Sequence, residues 1–318
     1  MVHALAFQEQ QIEQVDHVIV SPSSESDLAH GHWLRATQTQ DARICAPILA
    51  GFQPDWLIVD HYAIDACWEL FLKPHYRRLM AIDDLADRPH ACAILLDQTF
   101  GRNAEDYKCR VPTECHLICG SQYALLRPEF AALRPYSLQR RIRPVLRELL
   151  ISMGGVDKDN ATGQVLQVLR ASPLPVDCQI TVVMGATAPW LDEVRTLAHD
   201  MPWPTRVLTG VSDVARLMAD SDLAIGAAGA TSWERCCLGL PTIVLVLAAN
   251  QYEVANGLEQ AGAAVLVSSL SNAESQLAPL LKTLLSAPQK LHAMSKASAA
   301  IVDGMGVRSV IALLESQK

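Results

Sequence analysis

Aromatic residues are scarce in this chain: Phe, Trp and Tyr make up 5% of 318 residues, although half of all residues are apolar. A core poor in rings has to be filled by Leu, Ile, Val and Ala, the usual filling of parallel sheets covered by helices on both faces. Positive charge is also in short supply. A formal net charge of −8 excludes the basic surface that a nucleic-acid partner requires. The nine cysteines are odd in number and contain no CxxC pair, so they read as reduced, mostly buried thiols. Cys109, Cys115 and Cys119 with His116 match no zinc spacing, and neither a metal nor a cofactor is expected. No apolar run reaches about 18 residues and no secretory signal is recognisable, so the expectation is a cytoplasmic protein without stable membrane association. GxGxxG and Walker A motifs are absent, which removes the usual support for nicotinamide or ATP binding. Ala230 and Glu234 flank Ser232 where a nucleophile elbow needs glycines, so an acyl-transfer serine is excluded.

What is present is alternation. Short β-rich runs alternate with helical patterns, as in a parallel α/β sheet. Strands are expected at residues 15–20 (VDHVIV), 55–60 (DWLIVD), 78–82 and 93–97, with a helix at 63–73 stopped by Pro74. Residues 128–147 carry Pro128, Pro135 and Pro144 among Arg134, Arg140, Arg141, Arg143 and Arg147. They read as a solvated linker, with phosphate binding as the other reading. A second series follows, with strands at 147–153, 179–184, 223–225, 242–247 and 264–267 and helices at 161–171, 190–199, 211–219 and 251–261. The boundary falls at 146, giving Rossmann-like domains 1–146 and 147–318 facing each other across a cleft, the second expected to fold alone. Residues 5–14 read as a helix leading into VDHVIV with no Gly-rich turn before it. Either the topology is unusual, or about one βαβ unit is missing from the front of the first domain.

The residues that could carry chemistry follow the expected strands. In the run 222–251, the small residues Gly226, Ala227, Ala228 and Gly229 end a strand, and Thr231 or Ser232 is placed to cap a helix starting at Trp233. Small residues let a backbone approach a ligand, and free N–H groups at a helix start attract phosphate. Glu234 is placed to accept two ribose hydroxyls, although Ser232 and Glu234 also fit plain capping. Asn250 and Gln251 follow the next strand, placed to hold a diphosphate or sugar hydroxyl or to cap the helix beside them. Gly154 and Gly155 follow a third strand as a backbone nest for an anion. In the first half, His61 and Tyr62 end one strand, and Asp83 and Asp84 end another. Adjacent carboxylates on an extended chain point apart, so the two aspartates are assigned a structural loop role.

GAAGATSWERCCLGLPTIVLVLAANQ, MGGVDKDN, PDWLIVDHY and IDDLADRPHACAILLDQ closely resemble the UDP-sugar hydrolases of pseudaminic acid biosynthesis. The resemblance runs from near residue 5 to the GMGVRSV tail. It implies the GT-B fold and release of UDP from UDP-2,4-diacetamido-2,4,6-trideoxy-β-L-altropyranose. It also implies uridine and diphosphate contacts at Gly154, Gly155, Ser232, Glu234, Asn250 and Gln251, and a cleft tyrosine at Tyr62. The family's GxGHxxR loop, whose histidine is held to activate water, has no counterpart here. His30 and His32 in AHGHW echo it but match a later family segment, which leaves His61 as the substitute and slow hydrolysis as the expectation. Two other readings remain open: a UDP-sugar binder without catalysis, and a glycosyltransferase of the same fold. The sugar's stereochemistry and the oligomeric state stay undetermined by sequence.

Overall fold

The computed structural model describes residues 28–317. The expected helix at 5–14, the strand at 15–20 and the expected gap at the front lie outside the described residues. Two compact units divide between Gly120 and Ser121.

The first unit contains α1 (Gln38–Phe52), β1 (Trp56–Val59), α2 (Ala66–Phe71), β2 (Arg78–Ile82), β3 (Ile94–Asp97) and β4 (His116–Cys119). The strands are parallel and lie in chain order, β1-β2-β3-β4, with no reversal among the described residues. Ile94, Leu95, Leu96 and Asp97 of β3 are all buried, as an inner strand requires. A core of Val59, Trp68, Leu72, Leu79, Leu95 and Tyr107 packs on the sheet. Asp65 starts α2 by accepting the Cys67 N–H, and a 3-10 turn at Lys73–His75 follows it, so the expected helix at 63–73 is shorter than its pattern. The structure adds α1, which begins in a capping box between Thr37 and Gln40.

The second unit contains α3 (Pro128–Arg140), β5 (Glu148–Ser152), α4 (Ala161–Arg170), β6 (Gln179–Met184), α5 (Leu191–His199), β7 (Thr205–Thr209), α6 (Val214–Asp220) and β8 (Leu223–Ala227). It continues with α7 (Thr231–Cys237), β9 (Thr242–Leu245), α8 (Tyr252–Gln260), β10 (Ala264–Val267), α9 (Ala273–Ser286), α10 (Pro288–Ile301) and α11 (Gly306–Ser316). Its six parallel strands run β10-β9-β8-β5-β6-β7. Chain order therefore reverses between the neighbours β5 and β8, the doubly wound pattern of nucleotide-binding α/β domains. Ile151, Val165, Leu166, Val182, Ile225 and Ile243 lie at the centre of its core.

The arginine-rich stretch is a helix of the second unit, where the sequence reads as a linker. Pro128 occupies the first turn, which lacks an N–H partner in any helix. Pro135 removes one internal hydrogen bond, and tertiary bonds offset that loss. Arg134 donates to the carbonyls of Cys237, Ala299 and Val302, and Ser137 donates to Leu238. Arg141 donates to Met218, Ala219 and Ser221 from a buried position. For this reason the compact unit starts 26 residues before the expected boundary (147 − 121). A fragment spanning 147–318 leaves those carbonyls bare, at roughly 1–3 kcal/mol for each buried group left unpaired. It is expected to unfold at distinctly lower urea than a 121–318 fragment, followed by circular dichroism; equal midpoints would refute this role for α3.

The stretch Pro288–Ser316 is apolar and long enough to cross a membrane by length and composition. It is broken at 302–305 into α10 and α11, and α10 packs against α7. Gly304 makes the break at φ +86°, where a Cβ would sit 2.9 Å from the Cys237 sulfur.

Candidate functional site

In an open α/β sheet, ligands bind outside the carboxyl ends of the strands where the order reverses. In the second unit that point lies between β5 and β8, and the loops that follow these strands are the glycine loops expected from the sequence. After β5, Gly154 takes φ +95°, and both Gly154 and Gly155 are exposed with open space where a Cβ would stand. The Gly155 carbonyl accepts the Gly185 N–H at 3.0 Å, tying the loop to the end of β6. Asp157, which follows, is buried and accepts the N–H groups of Ala161 and Thr162, which anchors α4.

After β8, Ala227 and Ala228 are buried and Gly229 opens towards the surface. The helix α7 starts at Thr231, after Ala230 and without a side-chain cap, so neither Thr231 nor Ser232 caps it. The Ser232 N–H bonds to the Gly229 carbonyl, and its buried Oγ accepts from Arg235 at 3.0 Å. Ser232 thus helps to shape the loop, while its hydroxyl, which accepts from Arg235, keeps its proton to donate. Arg235 also donates to the Ala227 carbonyl at 2.7 Å. Gly226 makes room for this guanidinium, since a Cβ there would lie 2.5 Å from it. Complete burial lowers Arg235 to about 10, still a cation at neutral pH, and no carboxylate forms an ion pair with it among the described residues. Sequence reasoning overlooked Arg235, whose only mark was a charge among apolar neighbours.

Glu234 is half-buried, and its carboxylate forms no hydrogen bond or ion pair among the described residues. Desolvation raises its carboxyl above the ordinary range, partly countered by Arg127 and Arg235. A carboxylate kept partly dry without a partner is suited to receive donors from a ligand. Beyond β9, Asn250 and Gln251 lie in a 3-10 turn at Ala249–Gln251. Gln251 accepts the Leu247 N–H at 3.0 Å through its Oε1. The structure therefore brings Gly154, Gly155, Ser232, Glu234, Asn250 and Gln251 to the ends of three adjacent strands.

Over residues 153–311, half of the chain, the sequence matches the glycosyltransferase family 28 C-terminal domain. It is 30% identical over 207 residues to the UDP-2,4-diacetamido-2,4,6-trideoxy-beta-L-altropyranose hydrolase of Campylobacter jejuni subsp. jejuni serotype O:2, covering 65% of this chain and 71% of that protein. The chain belongs to this hydrolase family. A further relative is the spore coat polysaccharide biosynthesis protein SpsG of Bacillus subtilis (strain 168), 29% identical over 199 residues, which are 62% of this chain and 57% of SpsG. Among solved structures, Acinetobacter baumannii MurG shares the fold with a TM-score of 0.63 at 15% identity, covering 88% of this chain and 77% of that one. The GT-B fold class implied by the sequence resemblance is thus the observed one.

The family's tyrosine position, Tyr62, lies in the first unit beyond β1. Burial raises its phenol well above the usual range, and Asp84, which accepts its proton at 3.0 Å, adds to the shift. Tyr62 is a donor at every physiological pH. His61 accepts the Ala63 N–H at 3.1 Å through Nδ1, so a neutral ring carries its proton on Nε2. Asp83 is buried in an ion pair of 2.7 Å with Arg88, which fits the structural role expected for it. Asp84 departs from that expectation. It stands exposed at the sheet edge, with its carboxyl raised chiefly by desolvation and held by Tyr62.

Proposed function

We propose that this chain hydrolyses a UDP-linked 2,4-diacetamido-2,4,6-trideoxyhexose to UDP and the free sugar, as a step in pseudaminic acid biosynthesis. The carrying observation is the half-buried, unpartnered Glu234 beside two open glycine loops at the reversal of strand order. In this reading Glu234 accepts the ribose hydroxyls, and exposed backbone N–H groups at Gly154 and Gly155 take the diphosphate. Asn250 and Gln251 hold the phosphate or sugar oxygens. Water attacks the anomeric carbon, the bond from that carbon to the diphosphate oxygen breaks, and the loops stabilise the charge that UDP carries away. Tyr62 and His61 serve the sugar, and both donate in their resting states. His61 would have to release the Ala63 N–H before Nδ1 could take a proton from water.

The test is UDP release from the UDP-diacetamido sugar, with products analysed with and without candidate acceptors. Free sugar in both cases supports hydrolysis. Sugar attached to an acceptor would favour transfer, the reading that the family 28 match supports. His61→Ala is expected to lower kcat less than the ~10²–10⁴-fold typical of losing a positioned base. A larger loss would restore His61 as the base. Gly185→Ala should act from outside the site, because its Cβ would stand 2.1 Å from the Gly155 carbonyl oxygen. Displacing that loop is expected to weaken UDP binding at least ~10-fold, the equivalent of one charge-assisted hydrogen bond. Calorimetry checks this, and an unchanged Kd would remove the loop from the diphosphate.

A further inference from the structure

The carboxyl edge of the first sheet holds an aromatic cluster of which the hydrolysis scheme uses Tyr62 alone. Trp33 sits in a 3-10 turn at Gly31–Leu34 with 52% of its surface exposed. Its ring centroid lies 4.7 Å from that of His30 and 5.6 Å from that of Tyr62, and His30 and Tyr62 are 5.4 Å apart. The Arg88 guanidinium lies 6.0 Å from the Tyr62 ring, and Tyr62 donates to Asp84. The Asp84 carbonyl in turn accepts from Arg102 at 2.8 Å. The frame behind the cluster is tied down. Gln38 of α1 accepts the Asp65 N–H, and Asp41 accepts the Trp68 indole N–H at 2.8 Å. An indole left half in water costs apolar hydration, and it lies beside Tyr62, whose hydroxyl donates to an Asp84 carboxylate that accepts from no other donor among the described residues.

We propose that Trp33, His30, Tyr62 and Asp84 form a subsite for an N-acetylated deoxyhexose, with methyl groups on the rings and an amide N–H on the Asp84 carboxylate. The inference rests on the reading of the substrate as a diacetamido sugar and names the side chains that recognise it. Such a sugar carries three methyl groups, two acetamido and one at C6, where an ordinary hexose carries hydroxyls. Aromatic faces with one convergent acceptor suit that mixture. A carboxylate accepts from an amide N–H as it does from a hydroxyl, and the orienting Tyr62 hydroxyl leaves its other oxygen for the ligand.

The test uses the full chain and two probes, the free 2,4-diacetamido-2,4,6-trideoxyhexose and UDP. Saturation-transfer NMR is expected to show the strongest transfer on the acetamido and C6 methyl protons. Trp33→Ala should reduce it about fivefold, the scale of a lost aromatic contact. Trp33→Phe should retain most of it, and Asp84→Asn should weaken sugar binding without moving the methyl pattern. Kd for UDP should stay within about twofold in all three variants, as the nucleotide contacts lie in the other unit. Equal transfer in wild type and Trp33→Ala overturns the subsite, as does a wild type that binds UDP but shows no transfer to the sugar. Loss of UDP affinity in Trp33→Ala would mean that the ring stacks on uracil, and that also overturns it. Sugar transfer in a chain that does not bind UDP would uphold the subsite while refuting the UDP-sugar reaction.

Discussion

Glu234→Ala is expected to weaken UDP binding by about 1.5–3 kcal/mol, roughly 10- to 150-fold, while the chain stays folded. The side chain is half-buried with no hydrogen-bonded or ion-paired partner among the described residues, so only the more distant charges of Arg127 and Arg235 meet it in the ligand-free protein. Its removal deletes only what a ligand would meet. Stability should move the other way. Burial raises the folded-state pKa, so ionisation of Glu234 works against folding. Below about pH 4.3, the usual glutamate value, the group is protonated in both states and this cost is absent. The cost appears as pH rises through the raised folded-state value. Glu234→Gln, which cannot ionise, should therefore melt slightly higher than the wild type at neutral pH while binding UDP more weakly. Wild-type affinity should also fall as pH drops towards that raised value, and the Gln variant should lose this component. Calorimetric titrations across pH with thermal melts of both variants decide the matter; tighter binding by either variant would remove Glu234 from the ribose.

Asp83→Ala is expected to destabilise the first unit by about 1–3 kcal/mol, the usual cost of leaving a buried polar group short of one partner, since Arg88 keeps an ion pair of 3.0 Å with Asp87. Arg88 and Asp83 are almost wholly inaccessible. Arg88 also donates to the carbonyls of Ile64 and His61, which shape the turn that carries Tyr62. Burial alone would raise the Asp83 carboxyl, but Arg88, His90, the Ala86 N–H and Tyr107 together hold it below the ordinary range. Its contribution is therefore present above the unfolded value, near pH 3.9, and is lost as pH falls through the lowered one. The second unit shares none of these contacts. Urea unfolding of the variant should show an early transition for the first unit, and Kd for UDP should stay within about twofold under native conditions. An unchanged unfolding curve would show that Asp87 and the two carbonyls suffice to hold Arg88.

Much of this architecture is legible in the chain because inner strands bury both faces. The expected strands at 78–82 and 179–184 coincide with the inner strands β2 and β6. At β7, on a sheet edge, the run TRVLT holds only two apolar residues between polar ones and gives no continuous apolar signal. The misreading of 128–147 has a different cause. Prolines punctuate isolated helices, whereas α3 survives on bonds to residues 77–168 positions away. The glycine loops were visible because backbone exposure leaves a compositional trace. The inward-facing Oγ of Ser232 was not, because it depends on Arg235 folding back under the loop. Tyr62 and Asp84 stand 22 residues apart and meet only because β1 and β2 are neighbours.

The arginines of α3 and its exit divide into two populations under substitution. Three helix ends, those of α6, α7 and α10, turn their unpaired carbonyls towards Arg134 and Arg141, and such ends carry partial negative charge. Reaching several carbonyls at once takes a planar fork with five donors, which lysine does not possess. Arg140 reaches the Ala219 and Ser221 carbonyls and Asp222 in the same way, so an exchange that preserves charge is disruptive at 134, 140 and 141. Arg143 and Arg147 are exposed a few residues on and carry no such duty. A deep mutational scan should find three positions closed even to lysine within a segment that by composition looks freely variable.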